Sequence, residues 1–176
     1  MTAHMEIEFS WDVRKARDNL TKHGVSFTPS TAIFRDPLAL SVFDSTHSEN
    51  EDRWVTIGKA ENGQYLVVAH TYDEVGVNLA RIRIISARNA DRDEVRNYEN
   101  TSIPWRIEEA NEMNDHYDFS KGTRGQFYKD GAAFRLPVYL DEEIEKQLSA
   151  RAEKDGVDLS ELVNELLKRE IASNQK

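Results

Sequence analysis

Four arginines have the types and spacing best suited to chemistry in this chain. Arg81 and Arg83 alternate within an apolar stretch, Arg88 follows it, and Arg53 lies in a second alternating run. A guanidinium group donates two parallel hydrogen bonds to a phosphate, so arginines that converge on one sheet surface suit a nucleic-acid backbone. On spacing alone, the more common arrangement is a solvated face whose arginines pair with Asp and Glu.

Cleavage of RNA is a reaction that such arginines serve, because RNA carries its own nucleophile, the 2′-hydroxyl. An enzyme has to place that hydroxyl in line, stabilise charge at phosphorus and move protons. Histidine titrates near neutrality and suits the proton transfers. His23 at a helix end and His47 in a polar loop beside Glu49 are the candidates, whereas His70 lies in a strand and faces either solvent or core.

We expect no metal or other cofactor. His47 and Glu49 are too few ligands for a metal ion. Zero cysteines exclude disulfides and cysteine-based zinc sites, and no Gly-rich phosphate loop occurs in the sequence.

The arginines must be positioned by a predicted α+β domain. Helices are predicted at 13–22, 30–34 and 91–98, and strands at 38–43, 53–59, 65–72 and 79–86. An Asn62-Gly63 pair favours a tight hairpin between the second and third strands. The order predicts a four-stranded antiparallel meander flanked by helices.

Strand alternation in the last of these strands separates two faces. It places Ile82, Ile84 and Ser86 on one face. It places Arg81, Arg83 and Ile85 on the other.

A series of motifs runs in order through residues 8–99. They are Trp11-Asp12, Lys15, Asn19, Lys22-His23-Gly24-Val25-Ser26-Phe27, Asp36-Pro37-Leu38, His47-Ser48-Glu49, Arg53, Thr56-Ile57-Gly58, Arg83-Ile84-Ile85-Ser86-Ala87-Arg88 and Tyr98-Glu99. Together they resemble the BrnT toxin family, which implies a RelE-like ribonuclease fold that stops translation by cutting RNA.

The resemblance assigns Arg83 and Arg88 to phosphate and transition-state charge, with Arg81 and Arg53 as weaker candidates for the same role. The expected catalytic set is therefore Arg83, Arg88, Arg81, Arg53, His23 and His47.

Residues 100–132 read as a linker that is rich in Asn, Asp, Glu, Ser and Gly, yet they also carry aromatic residues that a plain spacer does not need. Two interpretations stay open: a strap that packs on the first domain, or the core of a small extra subdomain. In the strap hypothesis, Glu108, Glu109 and Glu112 beside Trp105 and Ile107 meet the arginines.

The C-terminal part predicts a strand at 134–140 followed by helices at 141–154 and 158–171. About 40 residues are too few to bury this apolar surface alone, so we expect two copies to pair their strands and share one core. A two-stranded ribbon tolerates Pro137 and fits the major groove of DNA, with Arg135 and Tyr139 facing the bases.

Two segments, Tyr117-Asp118-Phe119-Ser120-Lys121-Gly122-Thr123-Arg124-Gly125 and Leu136-Pro137-Val138-Tyr139-Leu140-Asp141, resemble ribbon-helix-helix antitoxins of the BrnA type. The likeness spans about residues 115–171 and implies operator binding. The expected DNA contacts are Arg135, Tyr139, Lys121, Arg124, Lys129 and, at a helix start that suits phosphate, Ser160. A dimerisation module without a DNA target is the alternative.

The net charge of −9 counts against a nucleic-acid binder, but phosphate contacts depend on local charge. Residues 119–139 hold four basic residues against one acidic residue. No secretory signal or membrane-length apolar run occurs, so we expect a cytoplasmic protein.

These observations predict a fused type II toxin–antitoxin protein. Residues 1–99 are the ribonuclease toxin, residues 100–132 the neutralising strap, and residues 133–176 a ribbon-helix-helix that dimerises and represses its own gene. The enzyme is a metal-independent endoribonuclease inhibited in cis, and its partners are RNA, operator DNA and a second copy of the chain. The alternative is a DNA-binding regulator whose toxin-like domain is inactive.

Overall fold

The computed structural model describes residues 5–48, 51–99 and 117–174. The chain divides into two compact units, residues 1–137 and residues 138–176.

A seven-stranded sheet forms the centre of the first unit, so the expected count of four strands is wrong. The strands are β1 (Glu6–Ser10), β2 (Leu40–Phe43), β3 (Trp54–Lys59), β4 (Tyr65–Gly76), β5 (Leu79–Asn89), β6 (Thr123–Arg124) and β7 (Ala133–Arg135). Their order is β6-β2-β3-β4-β5-β1-β7. The expected antiparallel meander is present as β2 to β5, and three short strands extend it.

Strand β1 was not predicted from the sequence, because its five residues lie close to the N-terminus and include two glutamates. It runs parallel to β5 on one side and to β7 on the other. Burial on the inner face explains why it forms, since Ile7 and Phe9 are buried.

Helices cover both faces of the sheet. They are α1 (Val13–His23), α2 (Phe27–Ser30) with a 3₁₀ turn at Thr31–Arg35, and α3 (Arg92–Glu99). Asp12 caps α1 by accepting two backbone N–H groups, and Gly24 ends it in the left-handed conformation, as the sequence predicts.

Two hydrophobic clusters fill the two sides. The aromatic cluster, on the side of α1 and α2, contains Phe9, Phe27, Phe34, Val68, Ile82, Ile84 and Phe127. The second cluster, on the side of α3, contains Leu40, Val55, Ile57, Val67, Tyr98 and Phe119. Val67 and Val68 are successive residues of β4, so the clusters lie on opposite faces.

A β-bulge interrupts the alternation of β5. Ala69 pairs with Ser86 and the next residue, His70, pairs with Ile84, so Ile85 is left without a partner on β4. A bulge adds one residue to one strand. Beyond the bulge, each side chain of that strand lies on the opposite face of the sheet from the one that strict alternation predicts. Ser86 therefore does not share a face with Ile82 and Ile84, as strict alternation predicts; Ala87 does.

Residues 117–137, which we call the wrapping segment, belong to the first unit. β6 pairs with β2 at one edge of the sheet, and β7 pairs with β1 at the opposite edge. Between the strands, Phe127 is buried against Trp54, His70 and Tyr72. These residues complete the fold, so the described part of the expected linker is structured.

The second unit consists of α4 (Glu142–Asp155) and α5 (Leu159–Ser173), joined at Gly156, whose φ of 68° is left-handed. Both helices were expected. The expected strand at 134–140 is not formed as such: only Ala133–Arg135 is a strand, and it lies in the sheet of the first unit. The ribbon-helix-helix stays a prediction. Among the described residues, none of the helices is long and apolar enough to cross a bilayer.

Candidate functional site

The bulge brings the arginines of β5 to one face of the sheet. Arg81, Arg83 and Arg88 are paired with Asp73, Thr71 and Val67, which are alternate residues of β4. Strict alternation would send Arg88 to the opposite face, and the extra residue at position 85 returns it. We call this surface, on the side of α3, the arginine face.

Arg53 joins the arginine face just before β3 and is linked to Arg83 by a shared carboxylate. Glu51 accepts two hydrogen bonds from Arg53, at 3.1 and 3.2 Å, and another from Arg83. The hydrogen bond from Arg83 is the main reason why the pKa of Glu51 is lowered, although partial desolvation opposes it. The carboxylate of Glu51 therefore occupies an anion site formed by the guanidinium groups of Arg53 and Arg83.

Arg88 forms a buried ion pair. Its two terminal nitrogens donate parallel hydrogen bonds of 2.7 Å to the oxygens of Glu94, a residue of α3 with 0% exposure. Burial acts to lower the pKa of Arg88, but the hydrogen bond and charge of Glu94 outweigh it and raise the pKa. The side chain of Arg88 is 18% exposed, so it anchors α3 and presents only an edge to the surface.

Arg81 is separate from this group. Its Nε donates a 2.9 Å hydrogen bond to Glu8 of β1, and both side chains are exposed. The contacts therefore join Arg53 and Arg83 through Glu51, whereas Arg88 and Arg81 are each paired with a different carboxylate.

Among the described histidines, His47 lies near Arg53, because the backbone N–H of its partner Asp44 donates to the carbonyl of Arg53. Its Nδ1 is 2.9 Å from a carboxylate oxygen of Asp44, the residue that follows β2. Asp44 is 7% exposed in its side chain, whereas His47 is 54% exposed. A buried carboxylate that orients an exposed imidazole is an arrangement suited to proton transfer.

The other two histidines of the described residues, His23 and His70, lie elsewhere. His23 ends α1, on the side of the aromatic cluster and away from the arginine face. His70 is fully buried, with Nε2 2.8 Å from the hydroxyl of Thr56 and Nδ1 3.2 Å from the carbonyl of Thr71. Burial lowers the pKa of His70 to about 4, so it is a neutral residue of the core.

Tyr117 begins the described part of the wrapping segment and lies across the arginine face. Its backbone N–H donates a 3.0 Å hydrogen bond to Glu94, and its ring lies 5.9 Å from the guanidinium carbon of Arg88. Burial raises the pKa of Tyr117, and the charge of Asp44 adds to the rise. Tyr117 therefore lies against the buried ion pair and has Asp44 among its charged neighbours.

Sequence reasoning missed the carboxylates of this site. Asp44, Glu51 and Glu94 each fix a candidate side chain, but Asp and Glu are frequent in this chain and their partners are distant in sequence. The Asp-x-x-His spacing at the end of a strand was the available signal for Asp44. The acidic residues expected to cover the arginines, Glu108, Glu109 and Glu112 with Trp105 and Ile107, lie outside the described residues.

The residues expected to contact DNA are dispersed. Arg124 donates to the carbonyls of Leu38 and Tyr98 at the β6 edge, whereas Arg135 forms two hydrogen bonds with Glu6, at 2.7 and 2.8 Å, at the β7 edge. Arg124 and Arg135 thus lie on opposite edges of the sheet and do not form one basic patch.

The remaining expected DNA contacts have different surroundings. Lys129 lies 4.0 Å from Glu74, and Lys121 is exposed at the end of a 3₁₀ turn. In the second unit, Tyr139 is half-exposed. The backbone N–H of Ser160 is bonded to Asp158, which caps α5.

Comparison with known proteins identifies the part of the chain that carries the arginine face. Residues 11–94 match the family model described as the ribonuclease toxin, BrnT, of a type II toxin-antitoxin system. Residues 11–94 are a BrnT-like domain. The match includes Asp44, His47, Arg53, Arg83 and Arg88, and it ends before the wrapping segment.

A solved structure that resembles the chain is the 1.1 Å crystal structure of the Brucella abortus ribonuclease toxin, BrnT. It is 22% identical, covers 49% of this chain and 99% of that chain, and has a TM-score of 0.35. None of the curated proteins matches the chain. The predicted BrnT resemblance is thus confirmed for residues 11–94, whereas the BrnA-type fusion stays a prediction.

Within the described ranges, no three His, Asp or Glu side chains are grouped so that they could hold a metal ion. The side chains at the arginine face offer guanidinium, imidazole, carboxylate and phenol groups.

Proposed function

We propose that the BrnT-like domain is an RNA-cleaving toxin, that the wrapping segment restrains it, and that the second unit dimerises on operator DNA. One observation carries the proposal: Arg53 and Arg83 share the carboxylate of Glu51, and a backbone hydrogen bond to Arg53 holds the Asp44–His47 pair beside them. Tyr117, at the start of the wrapping segment, bonds to Glu94 and lies 5.9 Å from Arg88. Cationic groups and a proton carrier on one surface are the two requirements for cleaving RNA without a metal.

The proposed reaction uses the 2′-hydroxyl of RNA. Its oxygen bonds to phosphorus while the bond from phosphorus to the 5′-oxygen breaks, so one proton leaves the 2′-hydroxyl and another reaches the 5′-oxygen. His47 carries one of these proton transfers. Arg83 and Arg53 hold the phosphate, which replaces Glu51 between them, because a phosphate offers the same acceptor geometry as that carboxylate.

The role of Arg88 follows from its burial. Because Glu94 occupies both terminal nitrogens, Arg88 holds α3 and the start of the wrapping segment in place. We therefore place Arg88 as a positioning residue for the face, in contrast to the phosphate-binding role that the family likeness implies.

The apolar side chains exposed on the second unit support the proposal that this unit dimerises. Val138, Ile144, Leu167 and Ile171 are exposed in the single chain. A pair of helices with this much exposed apolar surface is stabilised when a second copy covers it. Arg135, the proposed base reader, is engaged with Glu6 here, so DNA binding requires it to exchange that partner for a base.

A second candidate function is a DNA-binding regulator whose toxin-like domain is inactive. It is favoured by the finding that each of the four arginines is bonded to a carboxylate of the same chain: Glu51, Glu94 or Glu8. Three carboxylates compensate most of the charge of the four arginines, which weakens the attraction of this face for phosphate.

Release of the restraint by substitution separates the two functions. We expect Tyr117→Ala in the full chain to arrest growth of an expressing host and to produce discrete RNA cuts in primer extension. Arg83→Ala in that background should abolish the cuts. Arg96→Ala is the matched control, because Arg96 makes only an exposed pair with Asp93 on α3. Growth and RNA that stay intact in Tyr117→Ala would favour the regulator.

A further inference from the structure

Glu51 bridges the two arginines that we propose to hold the RNA phosphate. One oxygen of its carboxylate accepts hydrogen bonds from Arg53, at 3.1 and 3.2 Å, and the other oxygen accepts a hydrogen bond from Arg83. Each oxygen is therefore held by a different guanidinium group. The two non-bridging oxygens of a phosphodiester offer the same pair of acceptors on one anionic centre, so the carboxylate lies where a diester of the RNA backbone would bind.

The charges of this group of three side chains do not balance. Within the described residues, the two guanidinium groups of Arg53 and Arg83 share the single negative charge of Glu51. Arg81 and Arg88, by contrast, are each paired with a carboxylate of their own. The pair of Arg53 and Arg83 therefore attracts a further anion, and the attraction becomes stronger when Glu51 moves away.

The arginines and the carboxylate are carried by different kinds of structure. Arg83 lies within β5 and Arg53 directly precedes β3, and both strands are in the centre of the sheet. Glu51 lies on the connection between β2 and β3, outside any helix or strand. A surface loop changes its conformation at a lower cost in free energy than a central strand does. Glu51 is thus the partner that can leave while the guanidinium groups stay in place.

The group is also accessible to a ligand. The side chains of Glu51, Arg53 and Arg83 are 34%, 31% and 41% exposed, whereas the carboxylate that pairs with Arg88 is fully buried. An anion from solution can therefore exchange with Glu51. The hydrogen bond from Arg83 holds the pKa of Glu51 below its ordinary value, so the carboxylate keeps its charge at neutral pH.

We propose that Glu51 is an intramolecular competitor for phosphate, which closes the site of Arg53 and Arg83 until the backbone of an RNA strand displaces it. The inference deepens the proposed ribonuclease function and rests on it. It places one restraint inside the BrnT-like domain, separate from the restraint proposed for the wrapping segment. Because a ligand must replace the hydrogen bonds of Glu51, a strand that contacts the surface at several phosphates is favoured over a free phosphate ion.

The test measures the binding of an RNA strand that cannot be cleaved. A fluorescein-labelled 2′-O-methyl oligonucleotide lacks the nucleophile, and its fluorescence anisotropy with the full chain gives a dissociation constant. We expect Glu51→Gln, which removes the charge and keeps the size of the side chain, to tighten binding about tenfold, the effect of one hydrogen bond between charged groups. Glu51→Ala should tighten binding similarly, because it also removes the carboxylate.

A double substitution locates the effect at the arginines. Arg83→Ala in the Glu51→Gln background restores the net charge of the unsubstituted chain but leaves only one guanidinium group at the site. We expect this variant to bind the oligonucleotide no more tightly than the unsubstituted chain does. A gain that persists without Arg83 would show that the oligonucleotide binds elsewhere, and the proposal would fail.

Asp93→Asn is the matched control for net charge. It removes the same charge from an exposed pair with Arg96 on α3, on the same side of the sheet. A gain that comes from net charge alone appears in both variants, whereas a gain that comes from opening the site appears only in Glu51→Gln. Equal dissociation constants for Glu51→Gln and Asp93→Asn would overturn the proposal.

The outcomes separate the inference from the ribonuclease proposal. If Tyr117→Ala cleaves RNA but Glu51→Gln binds the oligonucleotide no more tightly than Asp93→Asn, the competitor role is wrong and the ribonuclease stands. If Glu51→Gln binds more tightly but neither it nor Tyr117→Ala cleaves RNA, the ribonuclease is wrong and the competitor role stands. Tighter binding together with cleavage supports both.

Discussion

The two units of this chain differ in how far they bury their apolar side chains. The first unit buries thirteen residues in the aromatic cluster alone, and ring-to-ring contacts join Phe9, Phe34, Trp54 and Phe127 to their neighbours. In the described part of the second unit, only Ala152 and Leu162 are buried, while Val138 and Ile171 are 70% and 60% exposed. The first unit completes its own core, and the second leaves apolar side chains exposed.

This difference shows where the wrapping segment belongs. Phe119 and Phe127 are buried in the two clusters of the first unit, one on each side of the sheet. A chain cut before residue 117 would lose two strands and both of these rings. The wrapping segment is therefore part of the stability of that unit, which is why single substitutions test the proposed restraint better than truncation.

The largest effect should come from the buried ion pair of the first unit. Arg88→Ala leaves Glu94 charged in a fully buried position, and we expect the free energy of unfolding to fall by about 3–5 kcal/mol. Urea denaturation followed by the fluorescence of Trp11 and Trp54, which both lie in the first unit, measures it. Arg81→Ala, which breaks an exposed pair, should cost at most about 1 kcal/mol. Equal losses would show that Arg88 is not an anchor.

A smaller loss of stability is expected when the pH is lowered. Below pH 6.5 the unfolded chain binds a proton at His70 that the folded chain does not bind until about pH 4. The free energy of unfolding of the first unit should therefore fall as the pH drops through this window, by at most about 3 kcal/mol from this residue. In His70→Gln this part of the pH dependence should vanish. A variant with an unchanged pH profile would contradict the neutral, buried state of His70.

The apolar surface of the second unit gives the next effect. Leu167→Gln should weaken self-association at least tenfold, because an exposed leucine that a second copy covers contributes about 1.5–3 kcal/mol. Sedimentation equilibrium over a range of concentrations measures it. Arg169→Gln, which introduces the same side chain at another exposed position of α5, is the control. If the unsubstituted chain stays monomeric at all concentrations, the comparison between the two units needs another partner.

The smallest effect on stability should come from the pair that links β7 to β1. Glu6→Gln removes the charge that holds Arg135, and because both groups are exposed we expect the melting temperature to change little. Binding to promoter DNA should become several-fold tighter, since Arg135 is then free to meet a base or phosphate. Asp93→Asn, which breaks an exposed pair with Arg96 on α3, is the control and should not tighten binding in this way. No DNA binding in either variant would leave the second unit as a dimerisation module.

Much of the fold of the BrnT-like domain was predictable from local patterns. The cap at Asp12, the left-handed stop at Gly24 and the turn at Gly63 are decided by near neighbours, and the helices and central strands follow them. β1, β6 and β7 are five residues or fewer and form because they meet sheet edges that are distant in sequence. Edge pairing of this kind leaves little signal in the sequence of the strand itself.

The candidate site was predicted on its cationic side only. The arginines and His47 were visible from residue type and family likeness, but the carboxylates that hold them depend on tertiary contacts. Arg88 shows the limit most clearly, because its role changes from phosphate ligand to buried anchor once Glu94 is known to lie against it. The residue type predicts the charge of Arg88, but its ion pair with Glu94 is visible only in the structure.

The unpaired Ile85 makes the length of β5 as important as its composition. Deletion of codon 85 would remove the bulge and leave Arg88 opposite Val67, because strict alternation along the shortened strand keeps it on the arginine face. Insertion of one codon beside position 85 would instead turn the guanidinium of Arg88 toward the aromatic cluster and leave Glu94 buried without its partner. The same insertion in the Glu61–Gln64 turn would only reshape a solvated loop, so tolerance to added residues should differ sharply between these two places.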